Sequence, residues 1–160
     1  MLAIGIGTNI GDKKLNIEKA LELIRKEIGD ISSISSIYES EPWGFKSEHW
    51  FYNTVCLVET TLLPQDIMTK LLYIEQSMGR VRKNAKEYEN RIIDLDILFI
   101  DDEIINLYTL KIPHPHLHER LFVLMPLNEL CPNWFHPILK KTVKQLLSEC
   151  KDKQGVRKIS

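Results

Sequence analysis

Cysteine is scarce in this chain. Cys56, Cys131 and Cys150 form an odd, widely spaced set with no C-x-x-C pair, which argues against a disulfide framework or a zinc ribbon. Long apolar runs are missing as well, and none approaches the roughly 20 residues that a membrane-spanning helix needs. Charge of one sign is not in excess: 21 Lys and Arg face 22 Asp and Glu, leaving a net charge of -1. No global field therefore draws the protein toward nucleic acid or an acidic membrane. Repeats, low-complexity segments and a signal-peptide pattern are absent, so the expected location is the cytoplasm. Several catalytic signatures are missing too. The early glycines (Gly5, Gly7, Gly11) are spaced G-x-G-x-x-x-G, unlike a dinucleotide-binding loop, and there is no G-x-x-x-x-G-K phosphate loop. A tight turn explains them as well as a ligand would. No Ser-His-Asp order or Cys–His pairing points to covalent catalysis.

What is present fits one domain spanning residues 1–160. The apolar fraction of 44% and charged fraction of 27% are those of a folded globular chain. Leu2 to Gly7 reads as a strand. Asp12 is a natural N-cap for a helix with Leu15, Ile17, Leu21, Ile24 and Ile28 at helical spacing, ended by Gly29. Ile31 to Tyr38 and Phe51 to Thr61 read as strands on either side of a polar loop. Pro64 suits the first turn of a second helix, striped by Ile67, Leu71, Ile74 and Met78. Ile92 to Ile100 is a further strand. That order, βαββαβ, predicts an α+β fold with a ferredoxin-like core, an antiparallel sheet with helices packed on it. Arg120 to Leu130 and Thr142 to Cys150 are expected to add helices, and residues 151–160 a loosely held polar tail. Cys56, inside an apolar strand, reads as a core residue.

The most informative segment is Arg91-Ile-Ile-Asp94-Leu-Asp96-Ile-Leu-Phe-Ile. Residues two apart in a strand share a face and lie roughly 6–7 Å apart. Two ionised carboxylates so placed repel one another unless positive charge lies between them. A pair of divalent cations with oxygen ligands, of the kind magnesium prefers, would satisfy both. Just upstream, Arg80, Arg82 and Lys83 concentrate positive charge, and Arg91 precedes the acidic pair. Arginine forks suit phosphate contacts. Cation-binding anions beside anion-binding cations suggest a metal–polyphosphate substrate, although either half alone would read as an ordinary charged surface. In Pro113-His-Pro-His-Leu-His118, a zinc site ranks below one histidine donating a hydrogen bond to phosphate.

Taken in order, these blocks carry a resemblance. They are Leu2 to Asp12, Tyr38 to Gly44, Phe51-Tyr-Asn53, Gly79 to Lys83, R-x-x-D-L-D at Arg91 to Asp96, and P-H-P-H-x-x-x-R from Pro113 into Leu127. From Leu2 to about Leu147 the chain resembles the 6-hydroxymethyl-7,8-dihydropterin pyrophosphokinases of folate biosynthesis. The resemblance implies transfer of pyrophosphate from ATP, with two magnesium ions, to the pterin hydroxymethyl group, releasing AMP. It implies that Asp94 and Asp96 bind the metals and that Arg82, Arg91, Asp94 and Asp96 form the catalytic set. Glu75, Arg80, Arg82, Lys83, Arg91, His114 and Arg120 would line the ATP path. The pterin would lie between Phe51 and Phe122, with Asn53, Ser40, Pro42 and Trp43 at its polar edge. Phe51 stands where relatives often have Tyr, Leu72 where they often have Gln, and Tyr88 where a loop Trp is familiar.

The resemblance leads to a monomer acting on small molecules, with no nucleic-acid or membrane partner. Two other readings compete. One is a two-metal nucleotidyltransferase using the same carboxylates. The other is a non-catalytic ferredoxin-like RNA binder, a class that places aromatics on exposed central strands, whereas the matching strand here carries Asp94 and Asp96.

Overall fold

Alternation in the first strand decides how the sheet is covered. In the computed structural model, which describes residues 1–42, 49–79 and 92–160, β1 (Leu2–Thr8) sends Leu2, Ile4 and Ile6 to one face of the sheet. Ala3 goes to the other face, where Gly5 and Gly7 add no side chain. On the first face lie α1 (Lys13–Glu27) and α2 (Pro64–Ser77), which bury Ile17, Leu21 and Ile24 and Ile67, Leu71 and Ile74. Asp12 caps α1 by accepting from the Leu15 N–H at 3.1 Å. Leu15, counted in the expected apolar stripe, is 42% exposed, because two residues before Ile17 is the far side of a helix.

The expected second strand is broken in two, β2 (Asp30–Ile34) and β3 (Tyr38–Ser40). Ser35 causes the break. Its hydroxyl accepts from the Val55 N–H at 2.9 Å and contacts the Thr54 hydroxyl at 2.9 Å, taking the place of a regular ladder. Both pieces pair antiparallel with one side of β4 (Phe51–Glu59), and β1 pairs with its other side. On the far side of β1 lies β5 (Asp94–Ile100), also antiparallel. The order β5-β1-β4-β3, with β2 also pairing with β4, is the antiparallel ferredoxin-like arrangement.

Two differences from the sequence reading matter. Gly29 does follow α1, but its backbone is not in the left-handed region, which Gly11 and Gly79 occupy at φ 77° and 93°. Instead, a Cβ on Gly29 would stand 2.0 Å from the Glu59 carbonyl oxygen. Residues 151–160 are not a loose tail. Following β6 (Ile105–Asn106) and β7 (Lys111–Ile112) in chain order, they contain β8 (Val156–Lys158), which pairs antiparallel with β3, and the Arg157 guanidinium meets Glu39 at 2.7 Å. Polar composition concealed this strand, because an edge strand needs backbone partners more than an apolar side chain.

After β5, a hairpin of β6 (Ile105–Asn106) and β7 (Lys111–Ile112) leads through a cis Ile112–Pro113 bond to a short turn at Leu117–Glu119. Then α3 (Leu121–Leu130) and α4 (Val143–Glu149) cover the second face. Thr142 and Gln145 close a capping box at the start of α4. A bulge assists this packing: Ala3 pairs with Phe99 and Ile4 with Ile97, so Leu98 is extra. Leu98 and Phe99 thereby both join the cluster under Leu124, Leu127 and Val143. Cys56 is fully buried, and burial pushes its thiol up to about 12. Among the described residues no helix is long and apolar enough to cross a membrane.

Candidate active site

Among the described residues, the second face of the sheet is covered at one end only. Its open end forms a pocket lined by Gly5, Gly7, Asn53, Asp94, Asp96 and Phe122, among others. Strand register builds the floor. Gly5 pairs with Asp96 on one side and Val55 on the other, while Gly7 pairs with Asp94 and Asn53. Asp94 and Asp96 therefore rise from alternate positions of an edge strand onto the same face, beside a strip of bare backbone. Both are half-buried, and so are accessible to a ligand. A Cβ on Gly5 would lie 3.4 Å from Leu98 Cδ2, and one on Gly7 would lie 3.5 Å from Asn53 Oδ1.

One wall of the pocket is a fixed polar edge. The Asn53 side-chain amide donates to the Tyr38 carbonyl at 3.1 Å and to Ser40 Oγ at 2.8 Å. Those two bonds fix which end is nitrogen and turn Oδ1 toward Gly7. Ser40 is itself buried. A further part of the lining is the start of α3, where the Arg120 guanidinium sits 5.6 Å from the centre of the Phe122 ring. Phe51 and Phe122 both line the pocket and are half-buried.

His114 is held beside β5, its N–H donating to the Leu98 carbonyl at 2.9 Å. Its Nδ1 accepts from the His116 N–H at 3.1 Å, so the neutral ring carries its proton on Nε2. Burial pushes its pKa down to about 4, the charges of Arg120 and His116 push the same way, and Asp94 opposes them. The other two histidines turn to Glu119, at 3.0 Å from His116 Nδ1 and 3.5 Å from His118 Nε2. Among the described residues no three His, Cys, Asp or Glu side chains gather as a metal-binding group.

The structure thus brings together Ser40, Phe51, Asn53, Asp94, Asp96, Arg120 and Phe122 around one pocket. Glu75, Pro42 and His114 do not line it. Glu75 is buried on α2, and its Oε2 accepts from the Leu95 N–H at 2.8 Å, between the two aspartates along β5. Trp43, Arg80, Arg82, Lys83 and Arg91 lie outside the described residues. A turn accounts for Gly11 but not for the other early glycines. Gly5 and Gly7 are mid-strand, and the signal for them is glycine at alternate strand positions, which marks a close backbone approach.

Comparison with known proteins gives a consistent result. Residues 3–132 match the family 7,8-dihydro-6-hydroxymethylpterin-pyrophosphokinase (HPPK). The chain is 41% identical over 146 residues to 2-amino-4-hydroxy-6-hydroxymethyldihydropteridine pyrophosphokinase of Aquifex aeolicus, covering 91% of this chain and 89% of that protein. It is 39% identical to the Folic acid synthesis protein FOL1 of Dictyostelium discoideum, matching 89% of this chain but only 21% of that longer protein. The crystal structure of wild-type Plasmodium falciparum HPPK-DHPS superposes with a TM-score of 0.74 at 20% identity, covering 92% of this chain and 44% of that one. That likeness speaks for the fold.

Proposed function

Since this chain belongs to the 7,8-dihydro-6-hydroxymethylpterin-pyrophosphokinase family, and so is a pyrophosphokinase of folate biosynthesis, we propose that the pocket over Gly5 and Gly7 is where ATP and the reduced pterin alcohol meet. The observation that carries this reading is the pair of half-buried carboxylates, Asp94 and Asp96, on one face beside an aromatic slot with a fixed amide edge.

The residues present fit magnesium. Two carboxylates from alternate positions of one strand offer an all-oxygen donor set, as hard divalent cations require. Asp94 and Asp96 would hold two such ions. Bound there, they would neutralise the polyphosphate and favour attack by the pterin hydroxyl on the middle phosphorus of ATP.

The protein's own groups do the rest. Phe51 and Phe122 sandwich the flat heterocycle, and Asn53 Oδ1 accepts from an N–H on its edge. Buried groups that lose a partner are costly, so this edge rejects a ring lacking the donor. Neutral His114 offers an Nε2–H, and Arg120 a guanidinium, to the phosphate chain. Arg80, Arg82, Lys83 and Arg91 supply further positive charge. Replacing Arg82 or Arg91 with alanine is expected to slow chemistry more than it weakens pterin binding. Calorimetry showing the opposite would remove them from the catalytic set.

Incubation with ATP, magnesium and the reduced pterin alcohol tests the reading. The expected products are AMP and a pyrophosphorylated pterin. Release of inorganic pyrophosphate in place of AMP would point to a nucleotidyltransferase.

A further inference from the structure

Helix α3 begins at the pocket wall with an arginine as its N-cap, and Arg120 makes no capping bond with its side chain. The usual caps are Ser, Thr, Asp and Asn, whose oxygen accepts from a first-turn N–H. At this position the site has a guanidinium instead. The missing acceptor comes from another part of the chain: Asp152 Oδ2 accepts from the Leu121 N–H at 3.0 Å. Leu121 lies between Arg120 and Phe122, both of which line the pocket.

The same carboxylate continues to the other wall. Asp152 Oδ1 accepts from the Gln154 N–H at 2.9 Å. Gln154 Nε2 donates to the Glu41 carbonyl, and the Glu41 N–H donates to the Gly155 carbonyl at 3.2 Å. Glu41 follows Ser40, the residue that fixes the Asn53 amide, and Ser40 pairs with Val156 in the sheet. Residues 152–156 thus bond to the start of α3 and to the end of β3, both of which contribute side chains to the pocket lining. They lie past residue 132, where the family match ends.

We propose that Asp152 is a positioning residue for the pterin: it caps α3 from outside and, through Gln154 and Gly155, sets the spacing between the Phe122 wall and the Ser40–Asn53 edge. The inference rests on the pocket assignment above. A slot for a flat ring depends steeply on wall spacing, and a shift of about 1 Å is enough to lose binding and orientation. Asp152 touches no substrate and acts through the backbone it holds.

The test is steady-state kinetics on the full chain, varying each substrate in turn, for Asp152→Ala, Asp152→Asn, Gln154→Ala, Phe122→Ala and Thr142→Ala. Asp152→Ala is expected to raise the pterin KM about tenfold, the scale of losing a charged hydrogen-bond acceptor, while the ATP KM moves less than about threefold. Gln154→Ala is expected to raise the pterin KM too, and less than additively when combined with Asp152→Ala, because both cut one chain of bonds. Thr142→Ala removes the cap of α4 and serves as the stability control: a lower Tm with an unchanged pterin KM. If Asp152→Ala gives that same pattern, the positioning role is wrong. If Asp152→Ala does not fold, an unchanged pterin KM in Gln154→Ala, which cuts the same chain of bonds, overturns the role in its place. Phe122→Ala separates the two levels. Should it leave the pterin KM unmoved, the pocket assignment fails and the inference with it. If Phe122→Ala raises that KM and the Asp152 variants do not, only the inference fails.

Discussion

Asn53 and Gly7 face one another on β4 and β1, and the Asn53 amide oxygen lies 3.5 Å from where a Cβ on Gly7 would stand. That distance is ordinary van der Waals contact, so alanine fits the fold at this position. It does not fit a pocket whose ligand rests on the bare backbone. Gly7→Ala should therefore fold with an unchanged or slightly higher Tm, since glycine in a strand costs roughly 0.5–1 kcal/mol relative to alanine. Its kcat/KM for the pterin should fall at least about tenfold, as expected when a group at the floor displaces the substrate by about 1 Å. A Gly7→Ala enzyme of normal activity would mean that the ligand does not approach this strand.

The two aspartates should matter for turnover and little for folding. Asp96→Ala is expected to lose nearly all activity and Asp94→Ala most of it, on the order of 10²–10³-fold, the scale for removing a key electrostatic group. Chelation of divalent ions should stop turnover and leave the far-UV circular dichroism unchanged, because β5 is held to β1 by backbone bonds. Near-normal activity of either variant in saturating magnesium would displace the metal site from β5.

His114 predicts a pH dependence of stability with a definite sign. Its pKa is about 4 in the folded protein, chiefly through burial, against about 6.5 in an unfolded chain. Between those values the unfolded state binds more protons, so stability rises with pH across that window and is lost as pH falls through it. The full effect is about 3 kcal/mol at most, and His136, also held low by burial and then by His118, acts in the same direction. Urea unfolding of the protein and of His114→Gln, at intervals from about pH 4.5 to 7.5, spans the window between the two pKa values and measures it. The glutamine variant should show the shallower slope, and parallel slopes would refute the assignment.

Gly29→Ala should be among the most destabilising single changes far from the pocket. The added Cβ would stand 2.0 Å from the Glu59 carbonyl oxygen and 3.2 Å from Thr60 Cβ. Backbone cannot yield as a side-chain tip can, so the turn after α1 must separate from the end of β4, at a cost of about 3 kcal/mol or more. Denaturant titration checks this. A loss below roughly 1 kcal/mol, the lower end for core overpacking, would show that the loop gives way easily.

Periodicity alone was enough to place the main helices and the strands β1, β4 and β5. Ile17, Leu21 and Ile24 lie every third or fourth residue, and only a helix puts them on one face. The same logic put Asp94 and Asp96 on one side of a strand before any neighbour was known. Local chemistry also located the Asp12 cap and the Pro64 helix start, since both depend on residues within one turn.

Tertiary structure decided the rest, because those features depend on atoms distant along the chain. Ser35 breaks a strand by bonding to Val55, twenty positions away. Gly29 is glycine because of Glu59, not because of its own dihedral angle. The two early glycines become a pocket floor only when β4 and β5 flank β1, and a polar C-terminal segment becomes a strand only when β3 offers it an edge. Side-chain pattern encodes which face is apolar. Which backbone groups meet across the fold is settled by packing, and the walls of this pocket are held by such meetings.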